Sequence, residues 1–208
     1  MDFIGDDPAV GDPARPLLLL LHGFGSDERD LPSIAGHLGD RFDWVSLRGP
    51  ITLPQRGYAW SPPIILPDSP PRQEAVLAGA AAILDWVDDA APDREIVPLG
   101  FSQGGLMVTQ VMRARPQAFA AGVVLAGFHA PFDEPGDAEL AAIRPPVFFG
   151  WGTADPIIPE SAFLATSDWL TTHSTPTERR YPGLGHSING EMLADIAAFL
   201  AEAVPARP

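Results

Sequence analysis

Apolar and polar stretches alternate along the chain in a pattern that predicts strands and helices in turn. Five consecutive leucines at 17–21, bounded by a proline and a His-Gly turn, are typical of a strand buried on both faces. The same pattern predicts further strands at 44–47, 95–99, 122–126, 147–150 and 177–181, and helices at 30–38, 72–89, 104–113, 160–172 and 191–204. This alternation indicates an α/β fold, with a mostly parallel central sheet flanked by helices.

Two stretches fall outside the alternation. Residues 49–71 are so rich in proline that a regular helix or a central strand is excluded, and we expect a long loop. Residues 1–15 are acidic and contain proline, and we expect a loosely ordered N-terminal segment. Because 208 residues with 46% hydrophobic content suffice for one substantial core, we predict a single domain spanning 1–208.

Composition narrows the classes of function. The formal net charge is -14 and all 13 basic residues are arginine, which argues against nucleic acid as a partner and against stable association with an anionic membrane. Without cysteine or lysine there is no disulfide, thiolate nucleophile or Schiff base. The N-terminal segment lacks the basic start and apolar stretch of a signal peptide, so we expect a cytoplasmic protein.

A candidate nucleophile lies between a predicted strand and the helix at 104–113. Ser102 is the central residue of a Gly-Phe-Ser-Gln-Gly sequence. A tight strand-to-helix turn exposes such a serine, and small neighbours allow the backbone to approach closely. The alternative is a glycine-rich loop without chemistry, but an accidental match would rarely fall between a strand and a helix. We therefore predict Ser102 as the nucleophile.

A serine nucleophile needs a base, and five histidines are available. His186 follows the last predicted strand on a glycine-rich loop and is the best candidate. The others have plainer interpretations as surface, helix-end, loop-shaping or pocket-border residues: His37, His173, His22 and His129.

The acid that orients the base is expected between the serine and the histidine. Asp155 follows the strand at 147–150, and the next residue, Pro156, keeps it extended. Its alternative role is a turn residue before proline. The competing carboxylates look like loop or helix-surface groups: Asp133, Asp137 and Asp168. The order Ser, Asp, His is that of the α/β-hydrolase fold, and all three residues follow strands, where open α/β sheets place their sites.

Two backbone N–H groups should stabilise the oxyanion of the tetrahedral intermediate. One is expected from Gln103, directly after the nucleophile, and the other from Phe24, after the first strand. Gly23-Phe24-Gly25 could instead begin a dinucleotide fingerprint, but Glu28 occupies the place of its third glycine. No spacing of histidines and carboxylates suggests a metal, and we expect neither a metal nor a cofactor.

Four segments together resemble the bacterial phospholipase/carboxylesterase family, small α/β-hydrolases related to acyl-protein thioesterases. They are residues 21–31, 100–105, 152–159 and 181–186. The resemblance implies an α/β-hydrolase fold with a minimal lid, the Ser102, Asp155 and His186 triad, and oxyanion donors at Phe24 and Gln103. It also makes a homodimer plausible.

One departure from this family affects the acyl pocket. Relatives often have Trp-Phe-Asp where this chain has Trp60-Ser61-Pro62. Candidate pocket residues, which could equally be ordinary core, are Trp60, Ile64, Ile65, Phe128 and Ile157. We expect a serine carboxylesterase whose substrate is a small-molecule ester with a short to medium acyl chain. One alternative is an acyl thioesterase or lysophospholipase that uses the same triad. The other is a noncatalytic binding protein.

Overall fold

The computed structural model describes residues 1–8, 15–64 and 71–205. Its strands are β1 Phe3–Gly5, β2 Leu17–Leu21, β3 Asp43–Leu47, β4 Ile51–Thr52, β5 Tyr58–Ala59, β6 Ile96–Phe101, β7 Gly122–Leu125, β8 Pro146–Gly152 and β9 Thr175–Tyr181. Its α-helices are α1 Pro32–Leu38, α2 Gln73–Ala90, α3 Gln103–Ala114, α4 Asp137–Ile143, α5 Glu160–His173 and α6 Gly190–Ala203, and a 3-10 turn covers Gly39–Arg41.

Seven strands form one twisted sheet in the order β1-β3-β2-β6-β7-β8-β9. All neighbouring pairs are parallel except β1 with β3. The predicted α/β fold with a mostly parallel sheet is therefore confirmed. Parallel strands end at the same edge of a sheet, so the loops that carry the candidate residues meet there.

The leucine run shows why the sheet is buried on both faces. Alternate side chains of a strand point to opposite faces, and all five leucines of β2 are fully buried. Leu17, Leu19 and Leu21 join the core under α2, α3, α4 and α5. Leu18 and Leu20 join the core under α1 and α6. One uninterrupted apolar run therefore supplies both layers of the core.

Three short elements differ from the prediction. Phe3–Gly5 pair with β3, so the expectation of a loosely ordered segment does not hold there, whereas residues 9–14 lie outside the described residues. The predicted loop contains a small hairpin of β4 and β5. Helix α4 was not predicted, because its seven residues make only about two turns and bury a single apolar side chain, Leu140.

Candidate active site

The predicted catalytic residues lie at the carboxyl edge of the sheet. Ser102 follows β6, Asp155 follows β8 and His186 follows β9. Phe24 follows β2 at the same edge. Residues from four strand exits therefore come together where an open α/β sheet leaves room for a ligand.

Ser102 is held in a strained turn between β6 and α3. Its backbone has φ 55° and ψ -115°, a conformation that non-glycine residues rarely adopt. Its N–H donates to the carbonyl of Leu125 at 2.8 Å. Close approach requires the flanking glycines: a Cβ on Gly100 would lie 2.1 Å from the Gly104 carbonyl oxygen, and one on Gly104 would lie 1.8 Å from that of Leu21. Strain of this kind concentrates at functional positions.

Asp155 and His186 form a partly buried hydrogen-bonded pair. His186 Nδ1 lies 2.6 Å from Asp155 Oδ2, and the Asp155 side chain is 1% exposed. The other carboxylate oxygen accepts from the N–H groups of Ile157 and Ile158 at 2.8 and 2.9 Å. A carboxylate only accepts, so the pair favours a proton on Nδ1 and leaves Nε2 of His186 as an acceptor. The ring of Phe101 packs against the imidazole at 4.8 Å.

A mostly apolar cavity of about 460 Å³ contains both Ser102 and His186. The other lining residues are Phe24, Pro63, Ile64, Gln103, Phe128, Ile157 and Ile158. Among the predicted pocket residues, the structure therefore brings Ile64, Phe128 and Ile157 together, and it adds Ile158. Ile65 lies outside the described residues. We call this space the acyl cavity.

Trp60 lies behind the acyl cavity and does not line it, contrary to the sequence-based suggestion. Its side chain is 1% exposed, and its indole N–H donates to the carbonyl of His22 at 2.8 Å. A buried indole N–H needs an acceptor, and the exit of β2 supplies one. Trp60 therefore supports the loop that carries Phe24.

The two predicted oxyanion donors belong to segments next to Ser102. Gln103 is the first residue of α3, where backbone N–H groups have no acceptor within the helix. The loop with Phe24 comes close as well, since a Cβ on Gly23 would lie 3.5 Å from Ser102 Cβ. Within the described parts of the chain, no acceptor is found for the Phe24 N–H. Both N–H groups are therefore available to a bound oxyanion.

The side chain of Gln103 has a second task that the sequence did not reveal. Its amide oxygen accepts from the backbone N–H of Trp60 at 2.9 Å. Its amide nitrogen donates to the carbonyl and hydroxyl of Ser61 at 3.0 and 2.9 Å. These groups are buried, so each bond avoids an unpaired polar atom. Gln103 follows the nucleophile in the chain, and its side chain therefore also holds the loop at Trp60 and Ser61 in place.

His22 acts within the same framework. Its Nε2 accepts from the Gly49 N–H at 3.0 Å, so Nδ1 carries the proton and donates to the carbonyl of Gly23 at 2.7 Å. Burial lowers the pKa of the imidazole and favours this neutral form. His22 is therefore a structural residue, in agreement with the sequence-based interpretation.

An ion pair completes the support of the β2 exit. Arg48 donates through Nε and Nη2 to both oxygens of Glu28, at 2.7 and 2.6 Å. Glu28 is 1% exposed, and the hydrogen bonds from Arg48 lower its pKa to about 2. Arg48 directly follows β3 and Glu28 lies in the segment after β2, and these positions are the sequence signal of the pair. We call the hydrogen-bonded groups of His22, Glu28, Arg48, Trp60 and Gln103 the polar clamp.

The competing histidines and acids have other partners. His173 meets the carbonyl of Trp169 in the last turn of α5, as predicted. His129 stacks on Trp169, and burial lowers its pKa to about 4. Asp137 forms an ion pair with Arg113.

The described residues lack two features, a membrane-spanning helix and a cluster of metal ligands. Across 1–8, 15–64 and 71–205, no helix is long and apolar enough to cross a bilayer. In the same ranges, no three histidine or carboxylate side chains gather as a metal site would require.

Comparison with known proteins gives a consistent result. The family model described as phospholipase/carboxylesterase matches residues 9–204. An acyl-protein thioesterase 1 of Kluyveromyces lactis is 24% identical, over 92% of this chain and 93% of that protein. A probable carboxylesterase of Oryza sativa subsp. japonica is 28% identical over 64% of this chain, and the match spans about half of the rice protein, 52%. The crystal structure of a Bacillus cereus carboxylesterase superposes with a TM-score of 0.80 at 20% identity, covering 97% of this chain and 93% of that one.

Proposed function

Because this chain belongs to the phospholipase/carboxylesterase family of α/β-hydrolases, we propose that it is a serine carboxylesterase acting on short- to medium-chain carboxylic esters. The observation that carries the proposal is the 2.6 Å contact between His186 and Asp155, at a cavity that Ser102 also lines. A base with a fixed tautomer beside a strained serine is the arrangement that acyl transfer needs.

The first half of the reaction forms an acyl-serine. Ser102 Oγ attacks the ester carbonyl carbon, and Nε2 of His186 takes the hydroxyl proton. The carbonyl oxygen becomes an oxyanion and accepts from the N–H groups of Phe24 and Gln103. The bond to the alcohol oxygen then breaks, and His186 returns the proton to that oxygen.

The second half regenerates the enzyme. Water attacks the acyl carbon and gives one proton to His186, and the bond to Ser102 Oγ breaks as the proton returns to the serine. The carboxylic acid leaves. Asp155 keeps its charge throughout and stabilises the imidazolium that forms in each half.

The acyl cavity supports a small to medium acyl group. A volume of about 460 Å³ lies toward the lower end of pockets that hold small molecules. Its walls are apolar, and Ile157 is 60% exposed at the cavity. An alkyl chain would cover that isoleucine and gain apolar burial.

Thioester hydrolysis on the same triad is the second candidate. The Kluyveromyces lactis relative, named an acyl-protein thioesterase, aligns with nearly the whole chain. An ester and a thioester with the same acyl group would separate the two substrates by their kcat/KM. A strong preference for long acyl chains would favour thioester or lysophospholipid hydrolysis over hydrolysis of short- to medium-chain esters. The cytoplasmic location and the homodimer stay predictions.

The direct test is turnover of p-nitrophenyl acetate and butyrate by the Ser102→Ala variant. We expect it to lose activity, while the matched variant Ser167→Ala, on α5, keeps it. Unchanged turnover in folded Ser102→Ala would reject the assignment. Failure of the wild type to react with a fluorophosphonate probe would favour a noncatalytic binding protein.

A further inference from the structure

A second cavity opens beside His186. It has a volume of about 330 Å³ and is lined by Asp30, Leu31, Ser33, Ile34, Phe101, His186, Ser187, Ile188 and Leu193. Of the residues that the structure describes, His186 alone lines both this space and the acyl cavity. The imidazole therefore stands between two compartments of different character.

The two compartments correspond to the two parts of an ester. The acyl carbon must bond to Ser102, which lines the acyl cavity and does not line the second cavity. The departing alcohol oxygen must come within hydrogen-bond reach of His186 to receive its proton. We infer that the second cavity, the leaving-group cleft, binds the alcohol portion of the substrate and prefers a cationic, alkylammonium-type alcohol. This inference rests on the proposed ester hydrolysis.

The lining of the leaving-group cleft favours a cation with an apolar surface. Leu31 and Ile34 are almost fully buried and form an apolar floor with the ring of Phe101. Asp30 is exposed and is the only carboxylate among the described lining residues, which include no arginine. A quaternary or alkylated ammonium group can place its methyl groups on the apolar floor while its charge attracts the carboxylate.

The acyl cavity lacks this feature. None of its described lining residues carries a carboxylate or a guanidinium group. Charge selection should therefore act on the alcohol and not on the acyl chain. The formal net charge of -14 adds a field that also favours cationic and disfavours anionic substrates.

The test compares two butyrate esters that differ in one atom of the alcohol. Butyrylcholine carries a trimethylammonium group, and 3,3-dimethylbutyl butyrate carries the neutral carbon analogue. Acid release gives kcat/KM for each, and the ratio of the two is taken for wild type, Asp30→Asn and Asp85→Asn. Comparing ratios between variants cancels the intrinsic difference in reactivity between the esters. Asp85 is a matched control, since it is an exposed carboxylate on α2 that lines a different cavity.

We expect Asp30→Asn to lower the cation-to-neutral ratio about two- to fivefold, the effect of one exposed charge pair, and added salt to lower it in the wild type. Asp85→Asn should keep the wild-type ratio. An unchanged ratio in Asp30→Asn, or an equal drop in both variants, would overturn the inference. The inference would also be overturned if the wild-type protein reacted with a fluorophosphonate at Ser102 but hydrolysed only the neutral ester or neither ester. That last result would leave the serine hydrolase assignment standing, whereas an active Ser102→Ala variant would remove it.

Discussion

The two sides of the candidate active site are held in place by different means. On the Ser102 side, the polar clamp joins the exits of β2 and β3 to α3 through a network of side-chain hydrogen bonds, most of them buried. On the His186 side, two loops carry the base and the acid, and backbone N–H groups make most of the hydrogen bonds that fix them. Asp155 is tied to Ile157 and Ile158, and the Ala154 N–H donates to the Leu184 carbonyl.

This difference matches what each side must do. Oxyanion donors work best when they are already in place, because any rearrangement during the reaction costs activation energy. The base must instead exchange a proton with the serine, the alcohol and water in turn. The side chain of His186 is 16% exposed, whereas that of Gln103 is almost fully buried. We therefore expect changes on the His186 side to affect chemistry alone, and changes on the Ser102 side to affect chemistry and stability together.

Asp155→Asn should give the largest effect. An asparagine can still accept from the Ile157 and Ile158 N–H groups, so the fold should be kept, but its amide would favour the wrong tautomer of His186. We expect kcat to fall by about 10³- to 10⁴-fold while the free energy of unfolding changes by less than about 1 kcal/mol. Steady-state kinetics and urea unfolding measure the two quantities. A large loss of stability would erase the contrast between the two sides.

Gln103→Ala should affect both quantities. The truncation removes the hydrogen-bond partner of the Trp60 backbone N–H and of the Ser61 carbonyl. This loss should lower the free energy of unfolding by about 2 to 4 kcal/mol. A shifted loop should also reduce kcat by about 10- to 100-fold, since small displacements of catalytic groups are costly. Gln117→Ala, at an exposed glutamine, is the control and should change neither. A stable Gln103→Ala with normal kcat would show that the clamp does not position the donors.

The same contrast explains what the sequence could predict. Ser102, Asp155 and His186 stand in local contexts of strand, glycine and proline, which a reader of the sequence can recognise. The polar clamp has no such signature, because no motif marks Trp60 as the partner of Gln103 or Gly49 as the partner of His22. Only the folded sheet brings them together.

The strands and helices also divide into those with a local sequence pattern and those that depend on distant partners. The leucines of β2 and the helical spacing of α2 were readable because their periodicity extends over a whole element. Strand β1 has three residues, and β4 and β5 have two each, so their pairing depends on partners elsewhere in the chain. The likeness to the Trp-Phe-Asp position of relatives suggests Trp60 as a pocket residue, but its buried indole N–H donates to the His22 carbonyl.

The Glu28 and Arg48 pair predicts a distinct pH dependence of stability. Arg48 lowers the pKa of Glu28 to about 2, so the pair stabilises the fold fully above pH 4.5 and loses this contribution as the pH falls toward 2. Glu28→Gln should therefore cost about 2 kcal/mol near pH 7, between the values of exposed and buried pairs, and much less near pH 3. Urea unfolding across this range checks it.

Two comparisons distinguish the pH range in which the Glu28–Arg48 pair loses its contribution from the titration of other groups. Asp88→Asn removes an exposed carboxylate that pairs with Arg115, and it should change stability little at any pH. His129 titrates differently, because burial lowers its pKa to about 4, so its neutral form supports the fold above pH 6.5 and that support is lost between 6.5 and 4. A cost of Glu28→Gln that does not shrink in acid would contradict the assignment to the ion pair.

Ile157→Ala should give the smallest effect and should be confined to the acyl group. Removing this exposed side chain takes away apolar contact with a longer chain, so the ratio of kcat/KM for hexanoate over acetate esters should fall about threefold. Leu164→Ala, at an exposed leucine on α5 that does not line the acyl cavity, should leave the ratio unchanged. Equal effects of the two substitutions would remove Ile157 from the acyl cavity.

The acyl-serine intermediate offers the most direct test of the central claim that Ser102 and His186 act together. Rapid acid quenching during turnover of p-nitrophenyl butyrate, followed by mass spectrometry of the intact protein and its peptides, would detect it. The account predicts one butyryl group on Ser102 in the wild type and none in His186→Ala at the same time point. Sustained turnover with the butyryl group on another residue, or on Ser102 equally fast without His186, would contradict it.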